Sequence, residues 1–199
     1  MKTVAALYVA TNGCYYGLPD VDPWDKARDA RLYEGPHPVV AHPPCGPWGR
    51  YAKIHGTLGQ DDGCFAAAFR AVNDFGGVIE HPEGSHAWRA FRIPDPPRGG
   101  GWILAASSPG VWTCCVAQGN YGHRARKLTW LLFVGTNPPP SLDWSKCIRR
   151  VPGADQATGM ERRRLIRTGV CQRLSHRQRA ATPLPFRDLL LSLARMAGR

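Results

Sequence analysis

The chain has 199 residues, 43% of them hydrophobic, and a formal net charge of +11. That length supports one domain, or one domain with a small appendage, and no apolar run approaches the roughly 18 residues that cross a bilayer. The seven cysteines are an odd number without paired Cys-x-x-Cys spacing, which argues against an oxidised disulfide scaffold and against a structural zinc site.

The charge is unevenly spread. Residues 1–145 hold 13 Lys/Arg against 12 Asp/Glu, whereas residues 146–199 hold 13 against 3. A concentrated basic segment is the footprint of a polyanion, most often nucleic acid. The competing reading is a solvated basic tail. The division expected is an α/β catalytic core over 1–145, a basic nucleic-acid contact segment over 146–180, and a C-terminal helix over 181–199 that packs back on the core.

In chain order, "VAALYVA" (4–10) reads as a buried strand, short and apolar and bounded by Thr-Asn-Gly. No small-residue cleavage pattern follows it, so a cytoplasmic protein is expected. "DPWDKARDARLY" (22–33) reads as a helix, with Asp22 as cap and Pro23 in the first turn. "PVVAH" (38–42) is a second strand. "DDGCFAAAFRAVNDF" (61–75) is an amphipathic helix with Phe65, Ala68, Phe69 and Val72 on one face and Gly76-Gly77 as its stop.

"GVIEHP" (77–82) is a third strand, and "HAWRAFRI" (86–93) a short helix. Residues 94–110 read as loop around a short strand, "VWTCCVAQGNYG" (111–122) as strand then turn, and "LTWLLFVG" (128–135) as a strand. Residues 145–180 lack apolar periodicity and read as loops that order against a partner. "PLPFRDLLLSLARMA" (183–197) is a terminal helix with Phe186, Leu189, Leu190 and Leu193 on its apolar face. Strands alternating with helices imply an α/β sheet with crossover connections, whose chemistry collects at the carboxyl ends of the strands.

Two strand ends carry chemistry. After "PVVAH" come Pro43, Pro44 and Cys45. Proline fixes φ and restricts the residue before it, so Cys45 sits at a defined place beyond the sheet edge, and Gly46 leaves room for a ligand. That suits a nucleophilic thiol; the alternative is a rigid turn with a filler cysteine. Glu80 closes the neighbouring apolar strand. Desolvation there is expected to raise its pKa, so that it holds a proton near neutral pH. A thiol and a carboxylic acid on adjacent strand ends suit attack on an electron-poor heteroaromatic ring. Arg124, Arg126 and Lys127 before the last strand can orient a base or phosphate. Trp48, beside the thiol loop, is a candidate stacking platform. His42, Cys45, His81 and His86 lack metal-site spacing, and no metal is expected.

These residues resemble the DNA cytosine-5 methyltransferases, in particular their short phage-type relatives. The resemblance rests on Pro43-Pro44-Cys45, on Glu80-His81-Pro82, and on Tyr121-Gly122 through Gly135, and covers residues 38–135 loosely, with a faint echo in 177–194. It implies a reduced Rossmann-like methyltransferase sheet in an enzyme acting on DNA, a phage- or prophage-encoded origin, and S-adenosylmethionine as cofactor. The family's prolyl-cysteine loop supplies the nucleophile, which points to Cys45. Its glutamate contacts a flipped cytosine, which points to Glu80. An ungapped match to its Gln-x-Arg-x-Arg motif puts Lys127 and Thr129 where the two arginines belong, with Arg124 and Arg126 shifted.

The mechanism implied is addition of a Cys45 thiolate to C6, protonation at N3 supported by Glu80, and methyl transfer to C5. It requires a depressed thiol pKa, with Arg50 or the 124–127 cluster as the source of positive potential. The family's Phe-x-Gly-x-Gly cofactor loop is replaced here by "ATNGCYYG", and only about 30 residues separate the first strand from Pro43. The cofactor contacts expected are Asn12, Gly13, Asp22, Trp24 and Pro43. The DNA contacts expected are Arg50, Arg149, Arg150, Arg162, Arg163, Arg164 and Arg167. A DNA-binding protein that has lost catalysis is the second reading, and a thiol enzyme using another donor or a free nucleotide the third.

Overall fold

The computed structural model describes residues 2–105, 110–147, 159–167 and 174–197. Among these, the strands are β1 Val4–Leu7, β2 Val21–Trp24, β3 Val39–Ala41, β4 Gly77–Pro82, β5 Ile103–Leu104, β6 Val111–Ala117 and β7 Leu128–Val134. They form a seven-stranded sheet in the order β2-β1-β3-β4-β7-β6-β5. β2, β1, β3 and β4 run parallel, and β7, β6 and β5 pair antiparallel beyond them. The helices are α1 Cys64–Phe75, α2 His86–Ala90, α3 Gly159–Arg167, α4 His176–Ala180 and α5 Leu184–Met196. The architecture is mixed α/β, as the order of apolar runs predicts.

The sheet is covered on both faces, which is why β1 is apolar throughout and every residue of Val4–Leu7 is fully buried. One face packs Phe65, Ala68 and Val72 of α1 and Trp88 of α2 against Ile79 and Leu132. The other packs Phe186, Leu190 and Leu193 of α5 against Val78, Leu131 and Phe133. Successive strand residues point to opposite faces. On β4 the alternation puts Glu80 on the α5 side with Val78, and His81 on the α1 side with Ile79. The helix-to-strand join at Gly76-Gly77 has φ of 76° and 137°, and a Cβ at Gly77 would run into the Val39 carbonyl. Only glycine lets β4 lie that close to β3.

Residues 22–33 are not a helix. Val21–Trp24 instead adds β2 to the outer edge of the sheet, pairing with Val4–Leu7, and Pro23 is tolerated because that edge is open. Asp22 does not cap; it accepts from Arg28 and from the Trp24 indole. Asp25 accepts the amides of Ala27 and Arg28, and such side-chain bonds compete with helix formation. Only a 3-10 turn survives at Ala30–Leu32, entered through Asp29 at φ 49°. β1 stops at Leu7 rather than residue 10, because Tyr8 takes φ 60°. In the basic segment, the described parts of 145–180 include α3 and α4 where loops were expected.

Candidate active site

β3 delivers His42 to the carboxyl end of the sheet, and Pro43-Pro44 carries the chain to Cys45. Cys45 is exposed and opens a 3-10 turn over Gly46–Trp48. Two contacts lock this loop. His81 Nε2 lies 3.2 Å from the Pro43 carbonyl oxygen, while its Nδ1 lies 2.7 Å from Ser85 Oγ. The carbonyl can only accept, so Nε2 carries the proton and Nδ1 accepts from the serine. Burial first of all pushes the His81 pKa down to about 4, against the pull of Glu80, so the ring is neutral at physiological pH. Trp48 is buried against Phe65 and Phe91 and donates its indole N–H to Asp61 at 2.8 Å. It anchors the thiol loop and offers no face to a base, which corrects its reading as a stacking platform.

Glu80 sits at the centre of a chain of side chains. Its Oε2 lies 3.0 Å from His42 Nδ1, and its Oε1 accepts from Gln118 Nε2 at 3.0 Å. Gln118 also donates to Thr129 Oγ1 at 2.9 Å, and His42 Nε2 lies 2.9 Å from the Tyr15 hydroxyl. The His42 and Glu80 side chains are each 14% exposed. Desolvation would raise the Glu80 carboxyl, but the hydrogen bond and charge of His42, helped by Lys127 and His81, outweigh it and leave the group below its ordinary value. The expectation of a raised, protonated carboxyl is therefore overturned: burial acts as anticipated, but His42 sits closer and wins. With Glu80 ionised, His42 Nδ1 must donate, and a neutral ring then takes the Tyr15 proton at Nε2.

Cys45 feels the same cluster. Desolvation, then the Glu80 charge, raise its thiol above the ordinary value, and the Lys127 ammonium offsets part of the rise. The depressed thiol expected from the sequence is thus absent in the free protein. Of the three candidate cations, Lys127 reaches the site electrostatically, held in place at φ 38°. Arg124 and Arg126 are exposed, and Arg126 lines a separate cavity. Cys45, Glu80 and Lys127 are therefore brought together, and Arg126 is not with them.

A cavity of about 630 Å³ opens beside this cluster, at the carboxyl ends of β1, β2 and β3. Tyr8, Val9, Asp25, Asp29, His42 and Pro44 help to line it. None of the five expected cofactor contacts does. Asn12 is exposed at φ 57°, and Gly13 is spent in a turn with Ala10 and Tyr16. Asp22 is held by Arg28, Trp24 lies under that guanidinium at 4.0 Å, and Pro43 is buried with its carbonyl on His81. Asp25 stands one step further along β2 and accepts from Thr11, Tyr16 and two backbone amides, which holds its carboxyl at about 2. The Tyr8 hydroxyl is buried with no hydrogen-bond partner among the described residues.

Arg50 is exposed on the loop that follows Trp48, and Arg163, Arg164 and Arg167 are exposed on α3, which also carries Arg162. Arg149 and Arg150 lie outside the described residues. Among the described residues no group of three His, Cys, Asp or Glu side chains could hold a metal ion, and no helix is long and apolar enough to cross a membrane.

Two members of the site escaped the sequence reading. Gln118 closes the strand "VWTCCVA", the same positional signal that singled out Glu80. Tyr15 gave no signal, because it reaches His42 through an irregular loop. A scan against protein-family models finds no match for this chain, and a search of curated proteins finds none either.

Proposed function

We propose that the protein is a DNA cytosine-5 methyltransferase-like enzyme that modifies a flipped pyrimidine through Cys45. The observation that carries this reading is that Cys45 and Glu80, placed at the carboxyl ends of the adjacent parallel strands β3 and β4, influence each other electrostatically, with Lys127 just before β7 acting on both. The sheet order supports it: a parallel half bearing the site, then an antiparallel strand β7 inserted between β4 and β6, fits a reduced Rossmann-like methyltransferase sheet.

The residues around the larger cavity suit a sulfonium cofactor such as S-adenosylmethionine. Asp29 is paired with Arg31, but Asp25, Asp61 and Asp62 against Lys26 leave the lining negative, and the orphaned Tyr8 hydroxyl offers a hydrogen bond that no described residue makes. Bound there, the cofactor supplies the methyl group. Cys45 gives up its proton to solvent and bonds to ring carbon C6; after C5 has gained the methyl group, loss of the C5 proton to solvent expels the Cys45 thiolate and restores the ring. Glu80 stabilises the proton gained at N3; because its resting form is ionised, it takes up a proton from solvent before delivering it and takes it back when the ring is restored. Lys127 stabilises the thiolate, and flipping the base out of the duplex costs a few kcal/mol.

One observation favours a DNA-binding protein without catalysis: both Glu80 oxygens are already engaged, by His42 and Gln118. The deciding experiment is incubation with S-adenosylmethionine and mixed-sequence DNA, then mass analysis of the nucleosides. The proposal expects 5-methyldeoxycytidine from the wild type and none from Cys45→Ser, with DNA affinity kept. Cofactor binding without any methylated nucleoside would count against it.

A further inference from the structure

A second cavity, of about 270 Å³, opens at the carboxyl end of β6. Three separate segments each bring it a cation: Arg98 from the turn before β5, Arg126 from the segment before β7, and Lys146 from the loop after β7. Arg98 is partly neutralised by Glu83, 2.9 Å away. Among the described residues, neither Arg126 nor Lys146 has a salt-bridge partner. Asp143 is the acid in the lining, and its Oδ1 is taken by the Ser145 amide at 2.9 Å. The walls are built. A Cβ at Gly119 would strike Cys147 Sγ, Asn120 Nδ2 donates to the Ser145 carbonyl at 3.0 Å, and the Tyr121 hydroxyl accepts the Asp143 amide at 2.9 Å. The 143–147 loop is thereby pinned to the 3-10 turn Gln118–Tyr121, which follows β6.

The cavity adjoins the Cys45–Glu80 site along two chain segments. Ala117 and Leu128 line the cavity, while their neighbours Gln118 and Lys127 serve the site. Its volume falls below the roughly 300–1,000 Å³ of pockets that take a whole small molecule. An arginine and a lysine, both exposed, in the lining of so small a space suit a compact oxyanion, for which charge-assisted hydrogen bonds are strongest. We propose that this cavity is a phosphate subsite, holding the phosphate attached to the nucleoside whose base lies between Cys45 and Glu80. The inference rests on the nucleotide part of the proposed function and not on methyl transfer. The phosphate belongs either to a free nucleotide or to a nucleic-acid strand.

Tryptophan emission can read the subsite, because Trp144 lines it and packs edge-on against Trp102 at 6.3 Å. The protein is titrated, without methyl donor, with inorganic phosphate, deoxycytidine, dCMP and a single-stranded oligonucleotide. For a free nucleotide, dCMP binds at least about tenfold tighter than deoxycytidine, and the Arg126→Met/Lys146→Met double variant abolishes the difference. For a strand, the double variant instead lowers the slope of log affinity against log salt by roughly 0.7, the contribution of the one phosphate that both cations hold on a single strand. Either result supports the subsite. Equal affinities for dCMP and deoxycytidine, together with an unchanged salt slope, overturn it. Should the double variant not fold, Asp143→Asn decides: it keeps a side-chain acceptor for the Ser145 amide and must strengthen phosphate binding, and no gain overturns the inference. No turnover is read, so a failure to methylate DNA contradicts the proposed function and leaves this result standing.

Discussion

At the scale of single residues, the site is governed by what Glu80 touches. His42, helped by Lys127 and His81, holds an ionised carboxylate where burial alone would hold a neutral acid, and Gln118 donates to its other oxygen. Gln118→Leu removes one donor and leaves burial in place, so the Glu80 titration should move up, read by carbon-13 NMR of labelled glutamate. His42→Asn should shift it further, because the interactions with His42 are the largest of those that lower Glu80. His81 behaves oppositely to a surface histidine. Its folded pKa of about 4 lies below the ordinary 6.5, so the neutral ring is the form the fold binds. Its contribution is intact above pH 6.5 and is lost as pH falls through 4, about 3 kcal/mol in all. Urea unfolding at pH 7 and pH 4 measures it, and His81→Gln should flatten the slope between pH 6.5 and 4.5. Below 4.5, protonation of Glu80 subtracts further stability, because its folded pKa is the lower one.

At the scale of elements, the prolyl-cysteine loop and the join before β4 carry the architecture of the site. Gly77→Ala forces a Cβ into the Val39 carbonyl and so separates the strands bearing Cys45 and Glu80; a loss of about 3 kcal/mol or more is expected in chemical denaturation. Gly17→Ala is the control. Its φ of 75° is also left-handed, but a Cβ there meets nothing within 4 Å, so only about 1 kcal/mol is lost. Much of this was legible in the sequence. Apolar runs bounded by glycine and proline marked β1, β3, β4 and β7, and helical periodicity marked α1 and α5, because those elements are decided by burial. β2 was not legible. It is a four-residue edge strand holding a proline and two turn-forming aspartates' worth of competing hydrogen bonds nearby, so its local preferences argue for a helix cap and only the pairing with β1 overrides them. Cys45 and Glu80 were found because strand ends are positional signals. The ionisation of Glu80 was not, because it depends on a 3.0 Å contact to a residue 38 positions away.

At the scale of the whole molecule, charge is segregated. Residues 1–145 are nearly balanced, and the excess lies beyond residue 145. The loop after Trp48 adds to the same surface chemistry: Arg50 and Lys53 stand beside Tyr51 and Ile54, which are 62% and 77% exposed. If backbone phosphates are the partner, affinity for duplex DNA should fall about 10³-fold or more between 50 and 200 mM salt. Arg163→Gln with Arg167→Gln should lower the salt slope by about 2, read by fluorescence anisotropy, since both side chains are exposed on α3. A flat salt dependence would leave the basic excess as a solvated tail.

The most direct measurement is peptide-level mass spectrometry after reaction with S-adenosylmethionine and a mixed-sequence duplex in which 5-fluorodeoxycytidine replaces deoxycytidine. Fluorine at C5 leaves no proton to remove, so a nucleotide joined through C6 to sulfur cannot be released. A methylated, fluorinated pyrimidine nucleotide is expected on the peptide containing Cys45. Unmodified Cys45 under conditions where both the cofactor and the duplex are shown to bind would contradict it.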